Sequence, residues 1–230
     1  MKISPMSVEL VDHMGSDLSV VNAARVSFAK ESDWDYSRDS IGELSEKDCK
    51  LINYLARHNH WTPFAHAFLS FRIKAPIFVA RQLVKHQVGL AWNEVSRRYV
   101  DDEPEFWFPT EWRGKPENAK QGSSGVFDMK FMVEGDKEIM DTHIHNLCYS
   151  SLQLYTQAIH NGMAPEQARM VLPQNTMTEW IWSGSLAAFC RVCKLRLDTH
   201  AQEETRELVG TIAALTEGLF PVSYKAMLEN

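Results

Sequence analysis

The sequence predicts an α+β fold: one compact domain, residues 1–230, with a small antiparallel sheet and packed helices. Three observations point there. Helical and strand-like segments occur in mixed order without the strand–helix–strand alternation of a parallel α/β sheet. One stretch, 68–73, has clear period-two patterning, with Leu69, Phe71 and Ile73 on one side and Ser70 and Arg72 on the other. No repeat, low-complexity tract or linker divides the chain.

The elements follow in order. Residues 8–11 read as a short strand, and Asp17 as the cap of a helix ending near 25–28. Residues 30–43 lack period and read as loop. Ser45-Glu46-Lys47-Asp48 resembles a capping box opening a helix that buries Leu51, Ile52 and Leu55. Pro63 holds a turn before the 68–73 strand, and Pro76 opens a helix running to about His86. On that helix Gln82, Lys85 and His86 share one face, and Gly89 ends it.

Residues 93–99 continue as loop and strand. Phe106, Trp107 and Phe108 pack a sheet edge, and the KQGSSG run at 120–125 reads as mobile. Residues 136–160 read as one long amphipathic helix, stopped by Asn161-Gly162. Pro165 opens a short helix that ends before Pro173, and 176–182 alternates as a strand. Ser185 caps a helix to about Arg196, and Asp198 or Thr199 caps a last long helix to Leu219.

Composition narrows the class. The chain has 44% apolar residues and a formal net charge of −6, which disfavours general nucleic-acid binding. No apolar run approaches bilayer length, and the N-terminus carries acids where a signal peptide needs apolar residues. A cytosolic enzyme is the default. Four cysteines are too few for a disulfide scaffold. Cys190 and Cys193 form one CxxC, open to a redox pair or half a zinc site, and read best as small core residues.

Against this acidic background, 72–98 holds six bases (Arg72, Lys74, Arg81, Lys85, Arg97, Arg98) and one acid, Glu94. A histidine, amides, a serine and aromatics are interleaved, a mixture suited to an anionic, planar ligand. Neither a Rossmann glycine fingerprint nor a P-loop is present. His58-Asn59-His60 spells a nuclease tripeptide but ends a helix. A metal cluster of His58, His60 and His66 lacks carboxylates nearby, so no metal site is expected. His143 and His145, two apart on a helix, read as solvent-facing.

What remains is HxTPFxHxxxxFxIxxPIFVxRQ running into KHQxGLxWNExSxRY. These residues resemble the flavin-dependent thymidylate synthases (ThyX class), whose signature is RHR followed after seven residues by serine. The likeness also takes in VELVDHMGSDLSVVNAARVSF near the start, ARMVLPQN at 168–175 and LRLDTHAQ at 195–202. Four ordered blocks are far more specific than any one motif. Here RHR is KHQ (Lys85-His86-Gln87), and eight residues precede Ser96. Lys85 keeps a charge without the bidentate fork, and Gln87 gives the charge up. The form resembles those of phage-encoded members.

The resemblance implies reductive methylation of dUMP to dTMP, with methylenetetrahydrofolate as carbon donor and NADPH as reductant through bound FAD. It implies a ThyX-like fold and a homotetramer with shared active sites. Localisation would be cytoplasmic, in a bacterium or in a phage's bacterial host, with no nucleic-acid or membrane partner. Catalytic roles fall on Arg196, His60 and Ser96. FAD contacts fall on Ser27, Thr62, Lys85, His86, Gln87, Val88 and Glu94. Substrate contacts fall on Gln82, Lys85, Glu94, Ser96, Arg97, Arg98, Arg169 and Arg196.

The chemistry suits the residue types. Arginine and hydroxyl donors bind phosphate, and the resemblance implies that Arg196 favours an N3-ionised uracil whose C5 is nucleophilic, which a permanently charged guanidinium can do. Family FAD positions have drifted at Ala65, where an acid is usual, and at Ser185, Ala187 and Arg191. Arg191 is expected to compensate by meeting the FAD pyrophosphate.

Other readings differ in class. A flavin-independent thymidylate synthase needs a cysteine nucleophile in a Pro-Cys-His setting, which Cys49 and Cys148 lack. A FAD- or nucleotide-binding homologue that has lost turnover is motivated by KHQ and Ala65. A structural or regulatory oligomer is the third. Flavin absorbance and turnover separate the three.

Overall fold

The computed structural model describes residues 1–37, 42–117, 122–127, 130–133 and 136–230. Among them the strands are β1 (Lys2–Ile3), β2 (Ser7–Met14), β3 (Phe68–Pro76), β4 (Leu90–Glu94), β5 (Glu105–Phe106), β6 (Arg113–Gly114), β7 (Ser124–Val126), β8 (Lys130–Val133), β9 (Asp136–Ile139) and β10 (Met177–Ser185). The helices are α1 (Asp17–Arg25), α2 (Glu46–Arg57), α3 (Ile77–Leu83), α4 (Met140–His160), α5 (Pro165–Ala168), α6 (Leu186–Arg196), α7 (Glu203–Leu219) and α8 (Pro221–Glu229). This is the expected α+β class, with a small antiparallel sheet.

The chain packs as two compact units. The first comprises Met1–Ser7, Ile73–Val84 and Glu94–Trp180; the second comprises Val8–Arg72, Lys85–Asn93 and Ile181–Asn230.

Four strands take the order β2-β3-β10-β4, so the last strand in sequence lies inside the sheet. The period-two pattern does what the sequence predicts: Leu69 and Phe71 are buried while Arg72 is exposed. On β10, Trp182 is buried and meets Phe189 of α6 edge-on, with ring centroids 5.3 Å apart. Phe71 meets the same ring at 5.1 Å. Each such aromatic removed from water contributes roughly 1.5–3 kcal/mol. Helix α6 is buried along most of its length and packs on α7 and α8, while α2 packs on α8. Ser185 caps α6 as expected, accepting the Ala188 amide at 3.3 Å. Cys190 and Cys193 are buried free thiols in this core, and burial pushes the Cys193 thiol up to about 12. They are packing residues, as the sequence suggests.

In the first unit α3 is started by tertiary contacts. The Ile77 amide donates to the Thr176 carbonyl at 2.9 Å and the Phe78 amide to Gln174 at 3.2 Å. Two donors that a helix start leaves unpaired are thereby satisfied. Cys148 and Leu152 of α4 pack with Phe106 of β5, and Asn175 reaches both the Trp107 carbonyl at 3.0 Å and the Cys148 sulfur at 3.5 Å.

Several local expectations are overturned. Asp17 does not cap α1; Ser16 is the N-cap, and Asp17 is buried, accepting amides from α8. In α2 the buried positions are Asp48, Ile52 and Leu55, whereas Leu51 is half-buried. Helix α3 ends at Leu83 with Pro76 as its N-cap, so Lys85 and His86 lie beyond it and share no helical face with Gln82. Residues 136–139 form no helix: β9 pairs with β8 over four positions, Lys130 with Ile139 through Val133 with Asp136. A hairpin ladder satisfies those backbone groups, and α4 starts at Met140. Leu147 and Leu154 of α4 are exposed.

Of the 120–125 run, 120 and 121 lie outside the described residues, and Ser124–Val126 is a strand paired with β6. Of the 30–43 loop, 38–41 lie outside them, and Asp35 and Glu43 form an isolated bridge. The Asp198 side chain turns back on His200, accepting its amide at 2.8 Å. With that residue spent on a local turn, α7 starts at Glu203 behind Gln202. The last segment is a separate helix, α8, opened by Pro221.

Candidate active site

In the first unit, a cavity of about 440 Å³ is lined by Lys74, Glu94, Arg97, Arg169, Thr178 and Glu179 among others. Three of the predicted substrate residues, Glu94, Arg97 and Arg169, are thus brought to one place from β4, the turn after it and the end of α5. The segment carrying them is pinned at Val95, whose amide donates to the Glu179 carbonyl at 2.9 Å. Thr178 donates its hydroxyl to Glu94 at 2.7 Å, fixing that carboxylate. Arg97 Nη1 donates to the Asp102 carbonyl at 2.9 Å, and its guanidinium stands 5.9 Å from the Tyr155 ring centroid. Arg169 Nε donates to the Glu166 carbonyl at 3.2 Å.

Lys74 pairs with Glu105 at the cavity wall. The hydrogen bond from Lys74, opposed by partial burial, holds the Glu105 carboxyl below its ordinary value. The cavity therefore mixes fixed cations with fixed carboxylates, a lining suited to a ligand with both phosphate and hydroxyl groups. Ser96 and Arg98 lie outside the lining; Arg98 Nε donates to Ser96 Oγ at 3.0 Å. Gln82 stands on α3, also outside it.

In the second unit the Lys85–Gly89 loop is held from α6. Arg196 Nε donates to His86 Nε2 at 2.9 Å, and Arg191 Nη2 donates to the Val88 carbonyl at 2.6 Å. Arg191, expected on a pyrophosphate, is seated on the loop backbone. Gly89 has φ +75°, and its carbonyl accepts the Ser185 amide at 3.2 Å. Burial, then the charges of Arg196 and Arg191, all lower the His86 pKa from its ordinary 6.5. Lys85, Gln87 and Val88 are exposed around it.

The other expected FAD and folate residues of this unit are exposed too. Ser27 sits in the 3₁₀ turn Val26–Phe28, and Thr62 opens the 3₁₀ turn Thr62–His66. The His60 ring lies 6.1 Å from that of Tyr54 and 6.4 Å from that of His58. His145, expected to face solvent, is half-buried and stacked on Phe108 at 3.9 Å.

Sequence reasoning missed Asp102, Thr178 and Glu179 as neighbours of the predicted cations. It also missed Gly184, where a Cβ would lie 2.4 Å from the Gly89 carbonyl oxygen. A signal for Gly184 exists: a lone glycine inside an alternating strand marks close backbone approach.

Comparisons with known proteins bear on this geometry. The family model described as "Thymidylate synthase complementing protein" matches residues 9–222. The flavin-dependent thymidylate synthase of Thermosipho africanus is 35% identical over 222 residues, covering 96% of this chain and 90% of that protein. The enzyme of the same name from Kosmotoga olearia is 36% identical, covering 96% and 89%. Among solved structures, the UMP/dUMP methylase PolB from Streptomyces cacaoi, bound with 5-Br dUMP, is similar with a TM-score of 0.81 at 27% identity. That likeness covers 100% of this chain and 97% of PolB.

These likenesses define a methyltransferase enzyme. The chain belongs to the flavin-dependent thymidylate synthase family. Among the described residues no helix is long and apolar enough to cross a membrane.

Proposed function

We propose that residues 1–230 act as one flavin-dependent thymidylate synthase-like domain that methylates dUMP to dTMP. Methylenetetrahydrofolate is the carbon donor and NADPH the reductant, through bound FAD. The observation that carries the reading is the cavity in which Glu94, Arg97 and Arg169 meet.

The donor set of the second unit fits FAD. Exposed hydroxyls at Ser27 and Thr62, the Lys85 ammonium, the Gln87 amide and the open backbone around Val88 can serve a pyrophosphate and a ring edge. When bound, FAD supplies the redox centre between NADPH and the one-carbon unit. His86 presents its imidazole beside that donor set, Glu94 contributes at the ribose or ring edge, and Arg191, which also braces the loop through the Val88 carbonyl, meets the pyrophosphate.

The substrate roles follow from charge and reach. Arg97, Arg98 and Arg169, with the Ser96 hydroxyl, bind the nucleotide phosphate, and Lys85 adds a point charge. Gln82 and Glu94 read the uracil edge or ribose. Arg196 stabilises the N3-ionised base, so that C5 would attack the folate's one-carbon unit as its C–N bond to the folate breaks; the C5 proton would leave to solvent, and a hydride from NADPH by way of bound FAD would complete the methyl group. One preorganised donor of this kind commonly supplies about 2–4 kcal/mol. His60 lines the folate pocket. The active form is a cytoplasmic homotetramer with shared sites.

The test is product analysis by liquid chromatography and mass spectrometry, with dUMP, methylenetetrahydrofolate, NADPH and FAD, omitting one at a time. UMP serves as a second substrate arm, since PolB is a UMP/dUMP methylase. The reading expects dTMP only in the complete mixture. A yellow, FAD-loaded protein that forms no methylated product would instead favour a binder that has lost turnover.

A further inference from the structure

The Arg196–His86 contact has a defined sense. An arginine N–H always donates, so His86 Nε2, 2.9 Å away, is a bare acceptor. A neutral imidazole with bare Nε2 carries its proton on Nδ1. Protonating Nε2 would set an N–H against a guanidinium and remove the bond.

The charged groups that act on the ring are Arg196 and Arg191, both from α6. Arg191 stands five positions before Arg196 and holds the same loop two residues on, through the Val88 carbonyl. The loop is also fixed by Gly89, whose carbonyl is bonded to Ser185 at the start of α6. His86 and Arg196 are therefore held together by the backbone as well as by their own bond. Nothing in this arrangement asks His86 to be charged, and burial and both cations disfavour it.

We propose that His86 is a positioning residue: a neutral, Nδ1-protonated imidazole whose bare Nε2 fixes the orientation of the Arg196 guanidinium. The proposal rests on the reading that Arg196 meets the base, and it adds what sets the direction of that guanidinium. In the family motif's place, KHQ keeps this histidine while both flanking arginines are gone. That pattern is accounted for if the histidine's partner lies on α6 and not beside it in sequence.

The experiment is nitrogen-15 NMR of histidine-labelled full-length protein without substrates, with His86 assigned by the signal missing in H86Q. The expected result at pH 7 is a protonated Nδ1 and an unprotonated Nε2, with a titration midpoint below 6.5. In R196M the midpoint should move up, because one of the two cations is gone. A proton on Nε2 in the native protein, or a midpoint at or above 6.5, overturns the proposal. The measurement involves no turnover, so its failure is separate from failure of the Arg196 assignment. If R196M does not fold, the native tautomer alone decides.

Discussion

Ser223 of α8 donates its backbone amide to the carboxylate of Asp17 at 2.9 Å, across 206 positions of sequence. The other carboxylate oxygen accepts the Val222 amide, also at 2.9 Å. One buried side chain in the first turn of α1 thus supplies what α8 lacks at its own start, where Pro221 has no amide and Phe220 no side-chain acceptor. Asp17→Ala should cost about 2–3 kcal/mol, since it strands one buried and one part-buried donor. For a chain of this size that is roughly a 5–10 °C fall in Tm. Asp17→Asn, which keeps one acceptor, should lose less. Thermal unfolding followed by circular dichroism measures both, and an unchanged Tm in the alanine variant would refute the capping role.

Asp48 makes stability depend on acid. Burial pushes its carboxyl up, but hydrogen bonds from Arg25, Ser45 and Ser32, with the Arg25 charge, outweigh that and leave it below the ordinary 3.8. A depressed folded-state pKa stabilises fully above the unfolded value and is lost as pH falls through the folded one. Denaturant titrations should therefore show this contribution intact at pH 6 and declining from about pH 4 downward. Asp48→Asn should be less stable at pH 6 and flatter below pH 4. Parallel curves for the two proteins would contradict the assignment.

Gly184 and Gly89 meet backbone to backbone. A methyl at 184 would lie 2.6 Å from Leu90 Cδ2 and 2.4 Å from the Gly89 oxygen, and that oxygen cannot move away without breaking the Ser185–Gly89 bond. Gly184→Ala should destabilise by roughly 2–4 kcal/mol and should disturb the loop that holds His86. Urea midpoints check the first expectation, and the His86 nitrogen shifts the second. A variant as stable as the parent would mean that the loop and β10 can separate freely.

Lys85 and Gln87 stand where the sequence resemblance leads one to expect arginines. Restoring both, in Lys85→Arg with Gln87→Arg, should tighten flavin or dUMP binding by about tenfold, near 1.4 kcal/mol, because a guanidinium adds a directional fork to an exposed point charge. Flavin fluorescence and calorimetric titration read the change. Unchanged affinity would mean that the extra residue before Ser96 has carried these side chains away from the ligand.

The parts legible in the sequence are those set by local pattern. The buried side of β3, the Ser185 cap and the break at Gly162 follow from period, hydroxyl placement and a left-handed glycine at φ +84°. Residues settled by distant partners were not legible. Asp17 has the look of an N-cap, yet its carboxylate is committed to α8, and Asp48 is buried because Arg25 neutralises it. The end of α3 misled for the same reason: Lys85 and His86 continue a helical face by spacing, but the loop's bonds come from α6. Residues 136–139 continue the apolar spacing of α4, and only pairing with the segment at 130–133 makes them a strand.

Of the candidate site, the cations were legible through motif and charge excess. Their anchors were not. Asp102, Thr178 and Glu179 are ordinary residues until the fold brings them beside Arg97 and Glu94. Arg191 is legible as a cation near the motif; its bond to the Val88 carbonyl, which also makes it a brace for the loop, is not.

The most direct test of the central claim is tritium release from 5-tritiated dUMP, with methylenetetrahydrofolate, NADPH and FAD. C–C bond formation at C5 expels the tritium, so the account predicts release that tracks dTMP formation and falls by about 10²–10³ in Arg196→Met. Protein loaded with FAD and dUMP that releases no tritium would contradict it.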